Sequence, residues 1–274
     1  MKYFVKEMMC LLNLPPENIY AHTKKLVYIL SVIKKYAQRL SLSDNTLSLL
    51  DFGCGNGVAV SQYLIKSIKR GGEYLGVDIH EPSLNYAQQN FGDAHANVRF
   101  MKHISANYWF DIIVYADILE HLAEPGDILR KHHAMLKDDG CIVGAIPNGY
   151  GPFEIEKRID RCLGLSRLLQ LLFRIKRFLV GTRHASAEMI PYNMASGHVQ
   201  FFTKKAFFTL LHNAGFEVVD FMNGAFLGAP ITERFFLRGE IITKWNAGVA
   251  DYLPSWMVST WYFTAVKSEM KIDQ

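Results

Sequence analysis

The stretch Asp51-Phe52-Gly53-Cys54-Gly55-Asn56-Gly57 follows a short apolar run and opens a helical pattern, and it decides the fold. Glycines at this place let the backbone turn tightly and approach a ligand, while the following helix N-terminus presents unpaired N–H groups. A nucleotide-like cofactor is therefore predicted at this loop. The glycine spacing is GxGxG, with valine at position 58, whereas dinucleotide-binding proteins show GxGxxG. An anionic pyrophosphate would lie unfavourably beside Asp51, so the loop favours a cofactor that carries a positive charge.

Short apolar runs alternate with helical stretches on both sides of the glycine loop. This order is typical of βαβ units, in which a parallel sheet is covered by helices on both faces. The predicted strands are 47–52, 73–78, 97–101, 110–116 and 141–146, and the helices between them are 57–69, 82–90 and 126–136.

The flanking sequence completes this pattern. An amphipathic helix is predicted around 26–40, and a second one starts at Thr203, a favoured N-cap, and ends before Gly215. Further strands are predicted at 216–221 and 260–266, with a helical stretch at 231–250 between them. The predicted organisation is N-terminal helices (1–44), a cofactor-binding α/β core (45–150), a helical insert or cap (151–197) and a C-terminal completion of the same domain (198–274).

Asp78 closes the second predicted strand, 21 residues after Gly57. A carboxylate at this point of an open α/β sheet can accept hydrogen bonds from both hydroxyls of a ribose. Together with the glycine loop, Asp78 therefore predicts a site for the nucleoside part of a cofactor.

The glycine loop, Asp78 and the segment FDIIVYADILEHL (110–122) resemble class I S-adenosylmethionine-dependent methyltransferases over roughly residues 45–146. The segment 198–221 resembles the late region of the small-molecule branch that includes ubiquinone-biosynthesis O-methyltransferases. The resemblance implies a Rossmann-like α/β fold: a seven-stranded, mostly parallel sheet with an antiparallel last strand, helices on both faces and a helical cap insert. It also implies S-adenosylmethionine as cofactor. Methyl transfer to oxygen, in preference to nitrogen or carbon, of a small-molecule or lipid-like acceptor follows as the expected activity.

The resemblance also implies which residues bind the cofactor. Gly53, Gly55 and Gly57 would line its methionine and ribose portions, Asp78 would hold the ribose, and Asp51 would act through the loop geometry or on the amino group. Many family members carry an acid after the third strand that reaches the adenine amino group, but Met101-Lys102-His103-Ile104-Ser105 holds no carboxylate. Either backbone groups near Ile104, with His103 or Ser105, bind the adenine instead, or the affinity for the cofactor is weaker. The remaining candidates for contact with the cofactor are Cys54, Asn56, Ile79 and Asp117.

Two histidines are candidates for the general base that a hydroxyl acceptor requires. His121 follows the fourth strand at the carboxyl edge of the sheet, where ligands bind, and histidine titrates near neutral pH. A structural histidine that fixes the loop is the alternative for His121. His198 is the second candidate, with the same alternative. His132-His133 is expected on an outward-facing helix without function, and no cluster of carboxylates and histidines suggests a metal.

The 274 residues carry a formal charge of +4, too little to indicate a nucleic-acid binder, but 151–183 holds eight basic and three acidic side chains. Within it, 165–180 is predicted as a basic amphipathic helix that either covers the substrate pocket or lies on a membrane surface or a second subunit. Four scattered cysteines and the lack of a recognisable signal peptide or 20-residue apolar run predict a cytoplasmic protein, with peripheral membrane contact left open. The alternatives left open are a non-catalytic module that binds S-adenosylmethionine or a partner, and an NAD-dependent oxidoreductase.

Overall fold

The sheet in the computed structural model has the predicted mostly parallel architecture. The structure describes residues 12–41, 46–68, 72–92, 97–105, 107–164, 190–193, 197–228, 232 and 239–268. Within these residues one seven-stranded sheet runs in the order β3-β2-β1-β4-β5-β7-β6. The first five strands pair in parallel, and β7 is antiparallel to both of its neighbours. The strands are β1 (Ser48–Phe52), β2 (Glu73–Val77), β3 (Val98–Met101), β4 (Phe110–Ala116), β5 (Leu136–Pro147), β6 (Phe216–Asn223) and β7 (Thr260–Lys267).

Helices cover both faces of this sheet. Because successive side chains of a strand point to opposite faces, Ile112 packs with α1 and α2 in one core, whereas Ile113 packs with α4 and α6 in the other. Central strands buried on both sides are mostly apolar, which explains their apolar runs, and a buried polar residue such as Asp51 needs hydrogen-bond partners there. The helices are α1 (His22–Ser41), α2 (Ser61–Ser67), α3 (Glu81–Ala87), α4 (Pro125–Met135), α5 (Pro152–Leu163), α6 (Lys204–Asn213) and α7 (Glu240–Val249).

The structure moves several predicted boundaries. The helix expected at 57–69 begins only at Ser61, because the positive-φ glycines keep the preceding residues in turns. The fifth strand starts at Leu136 instead of residue 141, and its pairing with β4 shifts register near its start. The helix α6 begins as predicted, since the Thr203 hydroxyl accepts a hydrogen bond from the Ala206 N–H.

The region after β5 is described only in part. Helix α5 forms the start of the predicted insert and ends at Leu163, with Gly164 as its C-cap, whereas the predicted amphipathic helix at 165–180 lies outside the described residues. Of the stretch predicted as helical at 231–250, the structure describes α7 together with its 3-10 continuation Ala250–Tyr252. Among the described helices, none is long and apolar enough to cross a membrane.

The expectation that His132 faces outward is wrong. Its side chain is 1% exposed, and its Nδ1 lies 2.7 Å from the hydroxyl of Tyr115 on β4. Burial lowers the pKa of His132 to about 4, so the ring is neutral at pH 7 and can pack edge-on against Phe52. His132 is therefore part of the packing beneath the carboxyl edge of the sheet, where it also reaches the cavity described below.

Candidate active site

The glycine loop turns sharply as it leaves β1. Gly53, Gly55 and Gly57 have φ angles of 80°, 56° and 78°, in the left-handed region that favours glycine. A Cβ at Gly53 would lie 2.5 Å from Cγ1 of Ile118, whereas a Cβ at Gly55 would meet open space. The first glycine therefore allows close packing, and the second leaves the backbone open to a ligand.

Asp78, at the end of β2, is bonded to this loop. One carboxylate oxygen accepts the Gly55 N–H at 2.8 Å, and the other accepts the His80 N–H at 2.8 Å. Each carboxylate oxygen keeps a second lone pair that can accept a further hydrogen bond. The arrangement thus orients Asp78 and leaves it able to bind the hydroxyls of a ribose.

A cavity of about 600 Å³, here called the strand-end cavity, opens at the carboxyl ends of β1, β2 and β4. Eight of the predicted site residues line this cavity. Lys102 also lines it, whereas Ser105 does not. The place expected for adenine therefore offers Lys102, His103 and Ile104 and no carboxylate from the segment after β3. The eight predicted residues are Gly53, Gly55, Asp78, Ile79, His103, Ile104, Asp117 and His121.

The other residues of the glycine loop that were predicted to contact the cofactor do not line the strand-end cavity. Asp51 is 1% exposed, and its carboxylate accepts hydrogen bonds from the hydroxyls of Ser61 and Tyr74, each at 2.8 Å. Burial raises the pKa of Asp51 to about 6, although the two hydroxyls counteract it. Of the two roles expected for Asp51, the geometry favours shaping of the loop over direct contact. Cys54, Asn56 and Gly57 likewise stand outside the cavity wall.

A second cavity, of about 370 Å³ and here called the aromatic cavity, adjoins the first. It is walled by the rings of Tyr20, Phe153, Tyr192 and Tyr262 and by the ammonium groups of two lysines. Four residues line both cavities, so they mark where the two meet: Asp117, His121, Tyr192 and Gly197. A ligand in each cavity would have its reacting ends at these residues.

Asp117 stands at the end of β4 with a φ of 57°, a rare angle for a residue with a side chain. Its carboxylate forms an ion pair with the ammonium of Lys25 from α1. Burial alone would raise the pKa of Asp117, but the Lys25 charge outweighs it and holds the pKa below the usual range. The junction therefore carries an ionised carboxylate whose charge is largely balanced.

His121 and His198 face each other at this junction, with ring centroids 4.9 Å apart. His121 Nδ1 lies 3.1 Å from the carbonyl oxygen of Gly197, and a carbonyl only accepts, so Nδ1 carries the hydrogen. His198 Nδ1 lies 2.7 Å from a carboxylate oxygen of Glu154, which fixes the same tautomer. A ring that carries only this Nδ1 hydrogen presents the lone pair of Nε2.

Both Nε2 atoms face Glu120, at 3.7 Å from His121 and 4.0 Å from His198. The Glu120 side chain is 1% exposed, and its second oxygen has no hydrogen-bond partner among the described residues. Burial raises the pKa of Glu120 well above its usual range. A proton on the carboxyl, a proton on either imidazole, or a bound cation would each balance the charge of this buried group.

The sequence suggested no metal cluster, but the fold assembles a candidate among the residues that the structure describes. Ligand atoms of Glu120, His121 and His198 lie within 4.8 Å of one another. Histidines that ligate metals have their other ring nitrogen bonded to a carbonyl or carboxylate, as Gly197 and Glu154 provide here. These three side chains could therefore hold a divalent cation, and the orphaned oxygen of Glu120 fits such a role.

Sequence reasoning missed Lys25, Glu120 and Glu154. Lys25 gave no local signal, because its role arises only when α1 packs beside the end of β4. Glu120 stood within the ILEH segment already singled out, and its distance of one residue from His121 could have drawn attention to it. Glu154 reaches His198 only because the Glu120 carbonyl accepts the N–H groups of Val199 and Gln200 and thereby brings this segment to the sheet edge.

The comparisons with known proteins identify the family of this chain. A mostly parallel seven-stranded sheet with an antiparallel β7, a GxGxG loop after β1 and an acid at the end of β2 are features of the class I S-adenosylmethionine-dependent methyltransferases. The family model described as a methyltransferase domain matches residues 22–220, and the chain belongs to this family.

Two curated relatives are both named ubiquinone biosynthesis O-methyltransferase. The one from Nitrobacter winogradskyi is 28% identical over 37% of this chain and 39% of its own length. The one from Bradyrhizobium diazoefficiens is 28% identical over 35% and 38%. The chain thus matches about two fifths of the length of these relatives. A chain in the solved complex of the Haloferax volcanii Trm112 methyltransferase activator is 13% identical, covers 85% of this chain and 90% of its own, and has a TM-score of 0.50, which shows the fold alone.

Proposed function

We propose that this protein transfers the methyl group of S-adenosylmethionine to an oxygen of a small-molecule or lipid-like acceptor. The observation that carries the proposal is the meeting of two cavities, one lined by the glycine loop and Asp78 and the other by aromatic rings, at His121. When bound, S-adenosylmethionine supplies a methyl group already activated by its sulfonium, so the protein needs no acid for the leaving group. The names of the curated relatives support oxygen as the methylated atom.

The residues of the chain supply binding, alignment and a route for the proton. Gly53, Gly55 and Asp78 hold the nucleoside side, while Asp117 lies at the junction with the aromatic cavity. Burial lowers the pKa of His121, so its ring is neutral at pH 7 and able to accept a proton. When no cation occupies the Glu120–His121–His198 cluster, His121 Nε2 takes the proton of the acceptor hydroxyl, and His198, fixed by Glu154, is the second base within reach.

The aromatic cavity favours a ring-bearing acceptor, because planar groups can pack against Phe153 and its tyrosines. The test is incubation of the protein with S-adenosylmethionine and a panel of phenols, catechols, prenylated phenols and glycolipids, with methylated products detected by mass spectrometry. We expect His121→Asn to lower turnover by about 100-fold, the range for a general base. The control is His212→Asn, at an exposed position on α6. Cofactor binding without any methylated product would instead favour the non-catalytic alternative.

A lipid-like acceptor would bring the protein to a membrane surface, and the basic residues of 165–180 are proposed to make that contact. The segment carries Arg167, Arg174, Lys176 and Arg177 and lies outside the described residues. Co-sedimentation with vesicles that contain anionic lipid tests the proposal. Binding that survives Arg174→Glu together with Arg177→Glu would contradict an electrostatic contact.

A further inference from the structure

The methyl group must leave one cavity and enter the other, so the residues at the junction surround the point of transfer. Of the four that line both cavities, Tyr192 is the one with a phenol ring. Its side chain is 68% exposed, so the protein itself leaves most of the ring uncovered. A ring in this position is available to a ligand.

The sulfonium of S-adenosylmethionine carries a positive charge, whereas the thioether of the product S-adenosylhomocysteine is neutral. A site that binds the two differently therefore needs a group that attracts a cation. Asp117 is a poor candidate, because the Lys25 ammonium already balances its charge. The face of an aromatic ring attracts a cation through its quadrupole and needs no counter-charge.

Tyr192 is held at the junction by the glycine loop. The segment 190–193, here called the strap, is bonded at the Pro191 carbonyl, which accepts hydrogen bonds from the Asn56 amide at 2.9 Å and the Ser83 hydroxyl at 3.4 Å. The other end of the Asn56 amide accepts the Val58 N–H, which orients the side chain. Asn56 thus connects the loop that would bind the cofactor to the strap that carries Tyr192.

We infer that Tyr192 recognises the sulfonium charge and so favours the methyl donor over the product, with Asn56 as the residue that positions the ring. The inference rests on the proposed use of S-adenosylmethionine, and it adds a residue that selects between donor and product. After transfer the charge is gone, the ring no longer attracts the cofactor, and release of the product becomes easier.

The test is calorimetric titration of S-adenosylmethionine and S-adenosylhomocysteine into the wild type, Tyr192→Leu and Tyr192→Phe. Loss of a cation–π contact weakens binding by about 2- to 30-fold. We expect Tyr192→Leu to lose this much affinity for S-adenosylmethionine and to change less than twofold for S-adenosylhomocysteine, while Tyr192→Phe keeps both affinities. The matched control is Tyr252→Leu, which removes a phenol that is 89% exposed and lines neither cavity.

Asn56→Ala keeps the Tyr192 ring but removes the hydrogen bond to the Pro191 carbonyl that positions it. We therefore expect the preference for S-adenosylmethionine over S-adenosylhomocysteine to fall, as in Tyr192→Leu, but by a smaller factor. The corresponding control is Asn90→Ala, an amide that donates only within its own helical segment. An unchanged ratio in Tyr192→Leu, or an equal loss for both ligands, would overturn the inference and leave the proposed function standing. Binding of neither ligand to the wild type would overturn both. A ratio that shifts in Tyr192→Leu but not in Asn56→Ala would overturn the positioning role alone.

Discussion

The ammonium of Lys25, on the N-terminal helix, forms an ion pair with the carboxylate of Asp117, 92 residues further along the chain at the end of β4. The Lys25 side chain is 13% exposed and that of Asp117 is 41% exposed, so the pair forms part of the wall of the site. Helix α1 is therefore part of the site, although it precedes the glycine loop and the whole of the sheet. The pair also sets the charge at the junction of the two cavities.

Removal of the lysine charge is expected to favour the cationic ligand. In Lys25→Met the Asp117 carboxylate loses its partner and can attract the sulfonium. The ratio of affinities for S-adenosylmethionine and S-adenosylhomocysteine should rise by roughly twofold to fivefold, the range of a partly screened pair worth about 0.5–1 kcal/mol. Calorimetry measures the ratio, and Lys35→Met, at an exposed position on the same helix, is the control. A fall in the ratio would mean that Lys25 binds the cofactor directly.

Asp78 is expected to carry a large part of the cofactor affinity. Asp78→Ala removes the acceptor for the ribose hydroxyls and also frees the Gly55 N–H, so binding of S-adenosylhomocysteine should weaken by about 1.5–3 kcal/mol. The affinity is measured by calorimetric titration. Asp138→Ala removes a fully exposed carboxylate far from the site and should change nothing. An affinity equal to that of the wild type would remove Asp78 from the site.

Gly53 and Gly164 both have a positive φ angle. Alanine substitutions at these two positions therefore distinguish the cost of backbone strain from the cost of a steric clash. Gly164→Ala places a Cβ in open space at a φ of 63°, so it should cost only the backbone strain of about 1–2 kcal/mol. Gly53→Ala adds the collision with Ile118 at a φ of 80° and should destabilise the protein by more. Chemical denaturation of both variants gives the two free energies of unfolding. If they were equal, Ile118 would have moved aside, and packing would not explain the glycine.

The buried Asp51 predicts a pH dependence of stability. Its pKa is raised to about 6 in the folded protein from 3.8, so the folded state binds more protons than the unfolded state between these values. This stabilisation is complete below about pH 4 and is lost as the pH rises to about 6. Relative to Asp51→Asn, the wild type should therefore lose roughly 3 kcal/mol between pH 4 and 7. Urea unfolding across this range tests it, and a constant difference between the two proteins would show that the pKa is not raised.

The cluster of Glu120, His121 and His198 predicts sensitivity to divalent cations. After treatment with a chelator, the wild type should unfold at a higher temperature when Zn²⁺ or Co²⁺ is added, since ligands that are fixed only in the folded state stabilise it on binding. His198→Ala should lose most of this increase, and His212→Ala should retain it. An unfolding temperature that no cation changes would show that the cluster holds a proton instead.

The sequence alone determined the sheet and the side of the site that is proposed to bind the nucleoside. Both follow from short-range rules: a run of apolar residues forms a buried strand, and glycines between a strand and a helix form a tight loop. Gly53, Gly55 and Asp78 could therefore be placed at one cavity from their positions along the chain. The prediction failed for His132, which was expected on an outward-facing helix, because the Tyr115 hydroxyl provides a hydrogen-bond partner for a buried imidazole.

Only the tertiary structure determined which residues form the rest of the site, at the junction with the aromatic cavity. Lys25, Glu154 and Tyr192 come from α1, α5 and the strap, and their distances along the chain from His121 carry no information about distances in space. The packing of α1 and the hydrogen bonds that hold 190–193 and 197–200 bring them to the same point. The chemistry of the junction depends on these long-range contacts, and no local pattern of residue types encodes them.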